Sequence, residues 1–136
     1  MNKQPPHIYT AVAGIFLLLQ GTSTLAFRLY PPLDRSFPAL LAVTQMTPPH
    51  SVLHILTGVV ALAVLLRGGE RGPLWFAAVF GVFYSGLAFA GMSTHHPTIF
   101  GLQSFDHPFH LFLGVLGVLV AGWYLYHIRR AKEAVL

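Results

Sequence analysis

The eight basic and four acidic side chains of this chain are placed so that four long stretches contain none of them. Ile8 to Phe27, His50 to Leu66, Pro73 to Met92 and Pro108 to His127 run for 20, 17, 20 and 20 residues without Asp, Glu, Lys or Arg. A helix rises about 1.5 Å per residue, so about 20 residues cross a hydrocarbon core of roughly 30 Å. In lipid each backbone N–H and C=O must be paired within the protein, so a spanning stretch is helical or belongs to a closed barrel. These stretches are too long and too poorly alternating for barrel strands. The second is the shortest, but Thr47-Pro48-Pro49 reads as an N-cap with proline in the first turn, which lengthens that helix. The fold class expected is therefore all-α integral membrane, a four-transmembrane-helix bundle forming one membrane domain over 1–136.

The composition agrees with lipid as the surrounding medium. Charged residues make up 9% of the chain and hydrophobic ones 54%, well away from the roughly one-quarter charge of soluble domains. The net charge of +4 does not mark a nucleic-acid partner, because the basic residues are scattered at span edges without a stripe or stacking motif. With no cysteine there is no disulfide framework, thiolate zinc site or CxxC pair. Nucleophile elbow, P-loop and dinucleotide fingerprint are also missing, and no catalytic residue is identified. The sequence points to a binding protein more than to an enzyme.

Lys and Arg asymmetry predicts the orientation. With both termini cytoplasmic, Lys3, Arg67, Arg71, Arg129, Arg130 and Lys132 lie inside, against Arg28 and Arg35 outside. Tyr9, Trp75, Trp123, Tyr124 and Tyr126 then fall at the cytoplasmic interface as an aromatic belt. A bacterial inner-membrane protein with several spans is the expected setting. The first span faintly resembles a cleavable signal peptide, but its small-residue cleavage end is weak and it also belongs to a repeat.

The repeat aligns His54-Ile-Leu-Thr-Gly58 with His110-Leu-Phe-Leu-Gly114, and more loosely Phe16 to Gly21 with Gly81 to Gly86. It predicts two tandem helical hairpins, about 8–66 and about 73–128, joined by the loop from Arg67 to Gly72. Two spans per unit put both copies in one orientation, related by an axis along the membrane normal. Gly58, Gly81, Gly86, Gly114, Gly117 and Gly122 are expected to let the helices approach closely. Ala39 to Val43, in the first outer loop, reads as a surface-lying stretch or short helix.

The helix starts His50-Ser-Val-Leu-His54 and Asp106-His-Pro-Phe-His110, each leading into a Leu/Gly-rich span, resemble those of the bacterial four-span family catalogued as domain of unknown function 4383. The resemblance covers nearly the whole chain. It implies the same four-span fold and carries no reaction; Ser51 and His107 stand where the family often has Asn.

Six of the eight histidines fall in the extracytoplasmic half under this topology: His50, His54, His95, His96, His107 and His110. His50 and His54 are spaced i, i+4, as are Asp106 and His110, so each pair shares a helix face. The repeat makes His54 equivalent to His110 and His50 to Asp106. His50, His54, Asp106, His107 and His110 are the candidate metal ligands, with His95 and His96 as further ligands from the loop. Neutral imidazoles with a carboxylate suit zinc, copper or iron, and the positive end of a helix dipole disfavours imidazolium. A second form of the same reading is haem b, with His54 and His110 as axial ligands. Alternatively the cluster is structural, tying together an accessory or scaffold subunit of a larger membrane complex. A metal-dependent hydrolase or oxidase acting on lipid is a third, more distant class. Partners expected are the lipid bilayer and another membrane protein or a second copy.

Polar residues within the spans are expected to hydrogen-bond between helices, among them Gln20, Thr24, Tyr84 and Ser85. Met46 and Met92 are expected to be boundary packing.

Overall fold

The structure, a computed structural model, describes residues 4–36, 46–94 and 100–134. Five helices follow in order among them: α1 (Pro5–Leu29), α2 (Pro31–Ser36), α3 (Pro48–Arg67), α4 (Gly72–Thr94) and α5 (Asp106–Glu133). All except α2 are long and apolar enough to cross a membrane. Large apolar side chains such as Leu19, Leu56, Val79, Phe83 and Leu119 are exposed around the bundle, which is the surface lipid would wet. Ala39 to Val43 lies outside the described residues.

The proline pairs act at helix starts. Pro5 and Pro6 open α1, and Pro48 and Pro49 open α3, where a missing N–H leaves no bond unmade. Thr47 is the N-cap of α3 by its extended backbone, yet its hydroxyl does not cap the helix. It faces the carbonyls of Phe100 and Gly101, 3.3 Å from each, and so clasps the segment before α5 to the start of α3. Gly101 adopts φ 68°, and a Cβ there would come within 2.5 Å of Thr47 Oγ1. Glycine is favoured at Gly101 by conformation and by space together.

α1 packs along α3, and α4 along α5, much more extensively than any other pair. Within each hairpin glycine permits backbone-to-backbone approach. A Cβ on Gly58 would lie 2.8 Å from the Gly14 carbonyl oxygen and the Leu18 nitrogen. On Gly114 it would lie 2.8 Å from the Gly81 carbonyl oxygen and 2.6 Å from the Ser85 nitrogen. The same i, i+4 pattern therefore recurs in both hairpins, setting Gly14 in the place of Gly81, two residues from the sequence alignment of Gly21 with Gly86. Gly86 and Gly122 depart from expectation, because a Cβ on either meets nothing within 4 Å. They do not serve helix approach.

The hairpins are joined to each other at both ends. At the end carrying the chain termini, Tyr9 donates to the Leu113 carbonyl at 2.7 Å and Thr10 to the Pro73 carbonyl at 3.2 Å. Tyr124 donates to the Gln4 side chain across the bundle. Tyr9 is buried and Tyr124 half-buried, so neither belongs to an outward aromatic belt; exposed Trp75, Trp123 and Tyr126 are left for that role. Tyr9, Phe76, Phe80 and Tyr84 build the aromatic centre of the core with Ala13, Leu17, Ala61 and Ala77. At the other end the helix starts of α3 and α5 bring the histidines together.

Candidate metal centre

His50 and His54 stand on successive turns of α3, and His110 one turn into α5. All three are fully buried. Side chains on a helix lean toward its N-terminus, so imidazoles near the starts of two neighbouring helices reach into the same space at that end of the bundle. Their Nε2 atoms form a small triangle: 2.9 Å from His50 to His54, 3.3 Å from His54 to His110 and 3.4 Å from His50 to His110. The rings meet nearly edge-on, at 77°, 60° and 85°.

Three convergent Nε2 atoms cannot satisfy one another. Each neutral ring offers at Nε2 either one N–H or one lone pair in its own plane. A single proton at the centre leaves at least one lone pair facing another, at a cost inside a buried site. A cation resolves this, and the three atoms form a group that can hold a metal ion. Metal–imidazole bonds of about 2.0 Å in a tetrahedral site place nitrogens about 3.3 Å apart, which is the size of the triangle found.

The remaining sequence candidates take other places. Asp106 does not point into the triangle. Its Oδ2 accepts a hydrogen bond from the Gln103 backbone N–H at 2.7 Å and lies 3.3 Å from His50 Nδ1, on the far side of that ring. The approach to Nδ1 is too oblique for a full hydrogen bond, and His50 Nδ1 has no other partner among the described residues. It remains a charge contact that favours the tautomer with the proton on Nδ1 and the lone pair on Nε2. His54 meets His110, and His50 meets Asp106, besides the closer approach of His50 to His54.

His107 is turned away from the triangle and packs on α4, where a Cβ on Gly91 would come within 2.0 Å of its ring. His95 and His96 lie outside the described residues. Met46 is fully buried and Met92 is exposed.

Two neighbours of the cluster were not singled out as part of it. Tyr84 from α4 is fully buried, with its ring 4.6 Å from that of His110 and 6.3 Å from that of His54. It carries the aromatic stack of Phe76 and Phe80 up to the histidines. It lies on the bundle-facing stripe of α4 with Ala77, Phe80, Gly81 and Ala88, a stripe that packing reveals and the equally apolar outer face of α4 conceals in the sequence. Ser51, beside His50, shares a 2.9 Å hydrogen bond with Thr24 of α1 and so fixes the start of α3 against the end of α1. Of the polar span residues, Thr24 bonds between helices as expected, whereas Gln20 Oε1 has no hydrogen-bond partner among the described residues.

Comparison with family models, curated proteins and solved structures gives no match, so the site's own geometry carries the functional argument.

Proposed function

We propose that this protein binds a transition-metal ion through His50, His54 and His110, with Asp106 behind His50 as the charge partner. The observation that carries this reading is the Nε2 triangle, with edges of 2.9, 3.3 and 3.4 Å, built from two hairpins and fully buried. Intramembrane ionisable residues are costly and so mark function by default. A carboxylate behind a metal-bound imidazole is a recurring device that orients the ring and raises its basicity.

Haem is the less favoured form of the reading. A haem iron held between His54 and His110 needs the porphyrin plane between their rings, and His50 Nε2 stands in that space, 2.9 Å from one ring nitrogen and 3.4 Å from the other. The setting proposed is a bacterial inner membrane with both termini cytoplasmic, which places the histidine end on the outer side. Membership of the family catalogued as domain of unknown function 4383, and an origin of the two hairpins by duplication, are parts of the same proposal.

The test is metal content and visible spectrum of the detergent-purified protein, repeated with His54→Ala and His110→Ala. One equivalent of zinc, copper or iron, lost in both variants, supports the ion site. A Soret band lost in both would replace it with haem. A colourless, metal-free protein whose variants merely unfold earlier would leave the histidines as a structural tie in a scaffold subunit.

A further inference from the structure

We infer that the seam between α3 and α4 binds an anionic glycerophospholipid of the leaflet at the end carrying the chain termini, with an acyl chain in the seam and the phosphate at Arg67 and Arg71. Three observations carry it, and none involves the histidine centre.

The first is that the two seams between the hairpins are unequal. Between α1 and α5, side chains close the seam. The rings of Phe16 and Phe109 pack with centroids 5.4 Å apart, Tyr9 donates to the Leu113 carbonyl, and about 230 Å³ is left. Between α3 and α4 about 510 Å³ stays open, within the roughly 300–1,000 Å³ typical of ligand pockets. Val60 and Val64 form one wall, and exposed Trp75, Val79 and Phe83 the other. Phe76 and Phe80, both buried, make the floor.

The second is depth. The groove begins at Gly72, at the membrane edge, and follows α4 to Phe83, a distance of about 16 Å. Half of a hydrocarbon core of roughly 30 Å is about 15 Å, so the groove has the depth of one leaflet. Gly72 leaves its outer end clear, since a Cβ there would stand 3.1 Å from Val64 Cγ1. A chain anchored by its headgroup at that edge fits the groove from end to end.

The third is charge at the mouth. Lipid tails are as apolar as these side chains, so a tail gains little by leaving bulk lipid, and selection falls to the headgroup. Arg67 lies on the stripe of α3 that carries Val60 and Val64. Arg71 lies one turn before Trp75, whose backbone N–H donates to the Arg71 carbonyl at 3.1 Å. Both walls therefore end on an exposed arginine. A guanidinium fork matches phosphate geometry, and Trp75 stands at headgroup level, where its indole N–H meets ester and phosphate oxygens. Glu70, in the same turn, offsets one of the two arginines. The net unit of positive charge is worth about a fivefold preference for an anionic lipid.

The test uses the full chain with Trp123→Phe, which leaves Trp75 as the one tryptophan. It is reconstituted in mixtures of phosphatidylcholine and phosphatidylglycerol with bromine on the acyl chains of one or the other, and quenching of Trp75 reports which lipid lies in the groove. Phosphatidylglycerol should be favoured about fivefold. Arg67→Gln combined with Arg71→Gln should abolish the preference, and Glu70→Gln should raise it about fivefold further. Misfolding cannot mimic that gain. Val60→Phe, which fills the groove and keeps the loop, should lower the preference. Equal quenching by the two lipids would leave only bulk lipid in the seam and overturn the inference. A preference untouched by Val60→Phe would overturn it as diffuse attraction to surface charge, and a Trp75 shielded from both lipids would put protein there instead.

Discussion

Gly114→Ala tests the link between helix spacing and the metal centre. The new methyl would stand 2.6 Å from the Ser85 nitrogen and 2.8 Å from the Gly81 carbonyl oxygen, whereas ordinary Cβ contacts begin at 3.4 Å. Ser85 Oγ, at 2.5 Å, can swing aside, but the other two atoms are backbone of a packed helix. α4 and α5 must therefore part by about 0.6–0.8 Å, in the range where overpacking costs roughly 2–3 kcal/mol. Alanine regains up to about 1 kcal/mol of helix propensity over glycine, so the expected net loss is about 1–2 kcal/mol. His110 lies one turn from Gly114 on the same helix, so the displacement also lengthens the triangle edges to His50 and His54 and weakens metal binding. Gly86→Ala is the control, because its methyl meets nothing within 4 Å and no loss is expected. Reversible unfolding in mixed detergent micelles, followed by circular dichroism with and without metal, measures both effects. Equal midpoint shifts for the two variants, or a destabilised Gly114→Ala with unchanged metal affinity, would refute the reasoning.

Three further outcomes are expected. Asp106→Asn should retain one metal per chain but weaken its affinity by about 10–100-fold by titration calorimetry, since the carboxylate acts behind His50, while His107→Ala should leave affinity unchanged. An ion held by His50, His54 and His110 would bridge the two hairpins, so adding it at about 100 times its dissociation constant should raise unfolding free energy by about 2.7 kcal/mol; an unmoved midpoint in a protein shown to bind would mean the unfolded chain binds equally well. Gly101→Ala should lose more stability than Gly69→Ala. Both glycines have positive φ, at a cost of about 1–2 kcal/mol for alanine, but only at Gly101 does the new Cβ strike a neighbour, the Thr47 hydroxyl. Thermal melts of the two variants decide this.

Much of the centre could be read from spacing because helix periodicity acts within one helix. An i, i+4 interval put His50 with His54, and Asp106 with His110, on single faces before any fold was known. The same argument fails between helices. The exposed lipid-facing side of α4, with Val79, Val82 and Phe83, is as apolar as its buried side, with Ala77, Phe80 and Tyr84. Without a polar face there is no hydrophobic contrast to tell inward from outward positions. Gly86 and Gly122 were expected at helix contacts for that reason, and Tyr84 was placed in the bundle without being tied to the histidines.

From the order of residues alone came the number of apolar helices, the proline-marked start of α3, and the concentration of histidine at one end. These follow from chain geometry and from the cost of charge in lipid, and need no neighbour. Packing decided the rest. Close glycine contacts set the rotation of α3 against α1 and of α5 against α4, and those rotations turn His54 and His110 toward each other. They leave Asp106 behind the His50 ring and direct His107 onto Gly91. An imidazole's height in the membrane is written in its sequence position, but its direction depends on how the whole helix is turned, and only contact with other helices settles that.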